Sequence, residues 1–378
     1  RHAAKADSVQ QRRPNVVLIM MESMSAKFMK HFGQSETLTP FLDSLYTRSI
    51  SFRNFYSAGI HTNHGLYATL YSFPAMMKRN LMKGSVIPRY SGLPTVLKEN
   101  GYYNLFFMTH EGQYDNMNAF FRTNGYDEVF SQEDYPADKV VNSFGVQDDF
   151  LYDYAIPVLN QRAATGQPFF ATLLSISNHP PYVIPPFFHP KTSEPETQIV
   201  EYADWALRQF FEEARKQPWF DNTIFVLEGD HGKLVGDAEC ELPESYNHIP
   251  LMIYSSRIQP EEKTAFGGQV DIQPTILGLL NIDYLQNNFG VDLLKEERPC
   301  MFYTADNMVV GRNDTLLYLY NYETQQELTY DIGNGKLNAV PMDDSFLPLK
   351  EYSFSMLQSA EFLVKHGKTL NSIPFTQQ

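Results

Sequence analysis

Cysteine is almost absent: Cys240 and Cys300 are the two in 378 residues, too few for a disulfide framework and without the spacing of a zinc motif. Positive charge is also scarce. The 30 Lys and Arg stand against 44 Asp and Glu, a net charge of −14, which repels a polyphosphate backbone and argues that no nucleic acid is a partner. Long apolar runs are missing: the longest near the start, Val16 to Met21, falls far short of the roughly 18 residues of a membrane span. There is no GxGxxG or GxxxxGK segment, so the nucleotide folds lose their phosphate loop. No internal repeat and no low-complexity tract breaks the chain.

What is present is ordinary globular composition, 43% hydrophobic and 20% charged, which excludes disorder and collagen. A chain of this length buries roughly three quarters of its unfolded surface, so its stability needs neither disulfides nor a structural metal. Aromatics are abundant, with 28 Phe and 23 Tyr, a content suited to work near lipid headgroups or sugars. Residues 1–13 form a polar leader without a signal-peptide pattern, starting at Arg1. The expectation is a processed chain or fragment with a membrane anchor removed or missing upstream.

From Asn15 onward, short apolar runs alternate with amphipathic stretches. NVVLIMM, YNLFFMT, FFATLLSIS, TIFVLEG and IPLMIYS read as strands. LPTVLKENG, closed by Gly101, reads as a helix, as do DDFLYDYAIPVLNQR with Pro157 as a kink point, the stretch Ile199 to Lys216, and DIQPTILGLL. Strands apolar on both faces and separated by helices predict an α/β fold with a mostly parallel central sheet between helix layers, over residues 14–298. After Pro299 the runs CMFYT, MVVGR, TLLYLYNY and ELTYDI predict a small C-terminal antiparallel subdomain, residues 299–378, with a terminal helix from Lys350 to His366.

Ligands of open parallel sheets bind beyond the carboxyl ends of the strands. The residues predicted there are Glu22, then His110 and Glu111, then Asn178 and His179, then Asp230 and His231. In EGDHG, a carboxylate and an imidazole at adjacent positions can both reach one metal ion. Asp230 as a helix cap with a solvent-facing His231 is the plainer alternative. Glu22 directly after an apolar strand needs a partner or a helix N-terminus. Thr62 in IHTNHG opens a helical pattern between two histidines; it is either a nucleophile activated by metal or base, or an ordinary N-cap. His248 in YNHIP sits on a loop that can return towards Asp230, or is structural, and the same alternative applies to His110 and His179.

Together the landmarks NVVLIMMES, TPFLDSL, HTNHG, LPTVLKENGY, NGYDEVF, SNHPPY, EGDHG, NHIPLMIY and DIQPTIL resemble the alkaline phosphatase superfamily. The closest likeness is to its sulfatase-like branch of lipoteichoic acid synthases and phosphoethanolamine transferases, over Pro14 to Asn281. The resemblance implies that Glu22, Thr62, Asp230 and His231 bind one divalent metal, Mn²⁺ or Zn²⁺, with Thr62 as the attacking alkoxide. It implies that His110, His179, His248 and Asn63 contact substrate; the placement of His179 after one strand and of His248 before another predicts that these two face each other across one cleft around a phosphate or a second metal. It implies an extracytoplasmic, membrane-anchored phosphotransferase that moves a phosphoglycerol or phosphoethanolamine group from a phospholipid headgroup donor to an envelope glycan, a lipid or water. The alternatives are a hydrolytic phosphodiesterase and a non-catalytic envelope binding protein. Thr62 replaces the Cys or Ser of the CxPxR and SxPxR sulfatase motifs, which disfavours sulfate-ester hydrolysis. No Trp or Arg follows His110 before Arg122, which leaves the headgroup open.

Overall fold

A computed structural model describes residues 13–333 and 335–371; the expected leader lies outside them except for Arg13. The central sheet is built from β1 (Asn15–Met21), β2 (Ile50–Tyr56), β3 (Tyr103–Phe107), β4 (Glu128–Phe130), β5 (Phe169–Leu174), β6 (Thr223–Gly229), β7 (Leu251–Tyr254) and β8 (Glu261–Gly268). Their order is β4-β3-β5-β1-β6-β7-β2-β8. β1 pairs in parallel with β5 on one side and β6 on the other. As the innermost strand it is buried at every residue, which its unbroken apolar run requires.

Alternate residues of β1 feed two cores. Val16, Leu18 and Met20 pack with α2 (Thr62–Tyr71), α3 (Leu93–Glu99) and α7 (Ile272–Leu279). Val17, Ile19 and Met21 pack with α1 (Pro40–Tyr46), α5 (Asp148–Ala164) and α6 (Pro195–Ala214). α4 (Met117–Thr123) leads into β4. The three-layer α/β reading therefore holds. α5 runs continuously through Pro157, which faces solvent, and the helix remains one element.

IPLMIYS does form a strand, β7, but it runs antiparallel to both β6 and β2. β2, β4 and β8 carry no clear signal in the sequence. ISFRNFY interrupts its apolar run with Arg53 and Asn54, β4 has three residues, and β8 begins with the exposed Glu261 and Glu262. Such strands take their conformation from their neighbours more than from their own pattern.

A second sheet, antiparallel throughout, follows: β9 (Met301–Thr304), β10 (Met308–Arg312), β11 (Leu316–Asn321), β12 (Gln326–Gly333) and β13 (Lys336–Ala339). One of its faces meets Tyr56 and Phe266, and Tyr318 on the other packs with Phe346 and Leu349 at the start of α8 (Leu347–Lys365). Arg298, just before β9, forms a buried ion pair with Asp271 at 2.6 Å. No helix among the described residues is long and apolar enough to cross a membrane.

The layers are also tied by a polar contact. Thr39 precedes α1 but makes no side-chain cap bond. Asp204 of α6 does the work instead, accepting from the Phe41 and Leu42 N–H groups at 2.9 Å each. Removing a buried acceptor strands both donors and costs about 1–3 kcal/mol. Asp204→Ala should lower the unfolding free energy by about that amount in urea titration, and Asp204→Asn by less. An unchanged midpoint for the alanine variant would show that α1 needs no cap from α6.

Candidate active site

Parallel pairing aligns Met21 with Gly229, so the next residues, Glu22 and Asp230, leave the sheet side by side at its carboxyl edge. The Asp230 N–H donates to the Met21 carbonyl at 3.0 Å. Ser23 then turns back in the left-handed region, at φ 51°. In that turn its N–H donates to Asp230 Oδ1 at 2.8 Å and its hydroxyl to Glu22 Oε1 at 2.7 Å. A strained non-glycine residue between two such carboxylates marks a turn held by its surroundings.

The glycines of EGDHG serve close approach. A Cβ at Gly229 would lie 2.4 Å from the Met24 carbonyl, and one at Gly232 would lie 2.0 Å from the Ser245 carbonyl. Gly65 plays the same part for α2, where a Cβ would stand 2.3 Å from the Asp230 carbonyl. The helix is thereby pressed onto the end of β6. His61, not Thr62, occupies its N-cap position. Thr62 is the first helical residue, and its hydroxyl is turned to Glu22 Oε2 at 3.3 Å. The cap alternative for Thr62 thus fails on geometry.

His231 completes the cluster. Its Nδ1 is bonded to the Gly232 carbonyl at 2.7 Å, which leaves Nε2 as the ring nitrogen facing Asp230 Oδ2 at 3.5 Å and Glu22 Oε1 at 3.7 Å. Ligand atoms of Glu22, Asp230 and His231 all lie within 4.8 Å of one another. Burial, then the charge of Glu22, pushes the Asp230 carboxyl up to about 7. Burial opposes protonation of His231, but the two carboxylates outweigh it and its pKa rises. Asp230 Oδ2 is buried without a hydrogen-bond partner. An orphaned carboxylate oxygen, a second carboxylate and an imidazole with its far nitrogen already anchored form a donor set that fits a divalent cation. Glu228 is buried too, but it accepts from Thr69 at 2.6 Å, and burial raises its pKa well above the usual carboxylate range. It does not belong to the group of clustered ligand atoms.

Above the cluster opens a cavity of about 560 Å³, lined by Thr62, Asn63, Tyr114, Asp115, His179, Tyr182, Glu196 and Lys233 among others. Asn63 donates to Asp115 at 3.3 Å. His179 reaches the cavity beside Phe144, with a ring separation of 4.1 Å. His110 lies buried beneath Tyr114, ring to ring at 4.6 Å, and burial lowers its pKa. The histidines beside Thr62 do not engage its hydroxyl: His61 pairs with Asp306 at 2.7 Å, and His64 is buried against Gly59.

His248 is the correction. Its Nε2 bonds to the Arg53 carbonyl at 2.7 Å, and its ring stacks on Tyr56 at 5.1 Å and meets Phe32 edge-on. It does not line the cavity, so His179 and His248 do not face each other across it. The reason is the backbone bridge between Tyr56 and His248, which turns the imidazole onto the β2 side. The sequence reading also passed over Lys233, Tyr182, Tyr114, Asp115 and Glu196. Lys233 stands two positions beyond His231 on the same turn.

The metal fit makes a direct prediction. Metal-free protein should bind Mn²⁺ or Zn²⁺ at one site by calorimetry, with affinity falling below about pH 7 as protons compete for Asp230 and His231. Saturation to a hundred times the dissociation constant should stabilise the fold by about 2.7 kcal/mol. Asp230→Asn should abolish both effects; retained metal binding in that variant would place the metal elsewhere.

The sulfatase family model matches residues 14–282. Lipoteichoic acid synthase 2 of Bacillus subtilis is 24% identical over 315 residues, covering 75% of this chain and 47% of the relative. Lipoteichoic acid synthase 1 of the same organism is 25% identical over 350 residues, covering 85% and 53%. The chain thus spans about half the length of the curated relatives it matches. Among solved structures, a protein of the alkaline phosphatase superfamily from Vibrio parahaemolyticus is similar with a TM-score of 0.85 at 27% identity, covering 95% of this chain and 88% of that one. Lipoteichoic acid synthase LtaP from Listeria monocytogenes is similar with a TM-score of 0.80 at 21% identity, covering 94% and 93%. With the family model spanning most of the chain and the fold shared with a solved protein of the superfamily, the protein belongs to the sulfatase family, within the alkaline phosphatase superfamily.

Proposed function

We propose that the chain is a metal-dependent phosphotransferase that moves a phospho-alcohol, of phosphoglycerol or phosphoethanolamine type, from a phospholipid to an envelope acceptor outside the cytoplasmic membrane. The observation that carries the reading is the orientation of Thr62. Its hydroxyl leaves the cap position to point at Glu22, beneath a cavity that opens to solvent. The lipoteichoic acid synthases among its relatives support the substrate class.

A divalent cation among Glu22, Asp230 and His231 would lower the pKa of the neighbouring hydroxyl and neutralise charge on the phosphoryl group. Thr62 then gives its proton to water in the cavity and attacks phosphorus: the Oγ–P bond forms as the bond to the lipid alcohol breaks. His179, facing the cavity, gives the departing alcohol its proton. In the second half-reaction an acceptor hydroxyl gives its proton back to His179 and forms the new O–P bond as the Oγ–P bond breaks, and Thr62 recovers its proton from water. The N-terminus of α2, with its free N–H groups, favours the anionic phosphoryl group on Thr62 in both halves. His110, buried under Tyr114, holds the wall against which the headgroup rests.

Thr62→Ala should keep its fold, because the N-cap position belongs to His61. Turnover of phosphatidylglycerol or of a nitrophenyl phosphodiester should fall by about three orders of magnitude or more, since the covalent pathway is deleted. Native protein quenched with donor should carry phospho-alcohol mass on the peptide containing Thr62. Undiminished turnover in the alanine variant would make water the attacking group and the protein a phosphodiesterase.

A further inference from the structure

Three carboxylates line the cavity, Glu22, Asp115 and Glu196, and together they repel an anionic substrate. Glu22 belongs to the donor cluster, and Asp115 is met by Lys83 at 2.7 Å. Among the lining residues, Lys233 is the single Lys or Arg side chain. Its ammonium donates to Asn178 Oδ1 at 2.5 Å and to the Tyr182 hydroxyl at 3.1 Å. The rings of Tyr182 and Phe28 stand 4.7 and 5.4 Å from Nζ. Both hydrogen-bond partners are uncharged, so neither neutralises it. An ammonium has three N–H donors, and these contacts use two.

The position of Lys233 is fixed from the active-site turn itself. Asn178, which holds the ammonium through its oxygen, donates through its nitrogen to the Glu22 and Ser23 carbonyls at 3.2 Å each. The cation is therefore tied, through Asn178, to the turn that carries the first carboxylate. We infer that Lys233 is a specificity-determining residue, whose remaining N–H binds an anionic phosphoryl oxygen of the substrate in the cavity above Thr62. The inference rests on the phosphoryl-transfer reading of that cavity and names the group that selects an anion there. A point cation with a fixed amide and phenol beside it accepts any phosphate ester, so the ligand class is the phosphoryl oxyanion, whether presented by a lipid headgroup or by free phosphate.

The test uses manganese-loaded protein with Lys233→Met and Lys233→Arg, and inorganic phosphate as the first probe. Lys233→Met should weaken phosphate binding roughly tenfold or more in calorimetry. It should also raise KM for a nitrophenyl phosphodiester and for phosphatidylglycerol vesicles by a similar factor, with a smaller change in kcat. Lys233→Arg should recover most of the loss, while manganese affinity and melting temperature stay at native values in both variants. A defect on vesicles alone, with free phosphate bound as by the native protein, would overturn the oxyanion contact and leave a role in lipid docking. Native phosphate affinity and KM in Lys233→Met would overturn the inference outright, as would a parallel loss of manganese affinity, which would make Lys233 a prop for Asn178. A native protein that turns over no phosphodiester yet binds phosphate through Lys233 would sink the transferase reading and keep the site.

Discussion

Parallel pairing of β1 with β6 sets two carboxylates next to each other at the end of the sheet, at the buried floor of the cavity. Glu22 and Asp230 are both almost fully buried, and Asp230 keeps one oxygen without a donor. Uncompensated charges at such a site cost several kcal/mol each. The protein meets part of that cost with the Ser23 N–H and hydroxyl, and part with the imidazole of His231. Under the proposed function the remainder is left for a cation, so that the electrostatic strain of the fold and its capacity for chemistry would be the same feature.

The neighbouring elements are arranged around that pair. Gly229, Gly232 and Gly65 each remove a Cβ that would keep β6, the loop before β7 or the α2 helix at a distance. Close packing of α2 brings Thr62 into the field of the carboxylates, and Gln269 fastens the joint by donating to the Gly229 and Asp230 carbonyls at 3.1 and 2.8 Å. On the opposite wall, Asn178 couples the end of β5 to the Glu22 turn and to Lys233. Under the proposed function, a phosphoryl group entering the cavity would meet the Thr62 hydroxyl, the carboxylate–imidazole cluster and an ammonium, each positioned by the backbone at the sheet edge.

The parts legible in the sequence are those written in local patterns. The apolar run of β1 and the strand TIFVLEG announce buried parallel strands, and a polar residue placed right after such a run must lie at the sheet edge. Glu22 and Asp230 follow from that rule, and the adjacency of His231 makes the donor set recognisable. β2 and β8 were not legible, because their polar residues face solvent or an edge and their pairing is long-range. His248 shows the limit most clearly. Its place before a strand suggested a return to Asp230, whereas one backbone bridge to Tyr56 points it away. Lys233 was hidden for a different reason: nothing in GKLV marks a lysine whose partners, Asn178 and Tyr182, come from a segment about fifty residues earlier.

The central claim is that the buried carboxylate pair exists to hold a divalent cation against Thr62. Anomalous diffraction from crystals soaked in manganese tests it most directly. The account predicts one strong peak bounded by a Glu22 oxygen, Asp230 Oδ2, His231 Nε2 and Thr62 Oγ1, with oxygen and nitrogen distances of about 2.0–2.3 Å. A peak at another group of side chains, with Thr62 still bonded to Glu22 and Asp230 Oδ2 still unpartnered, would contradict it.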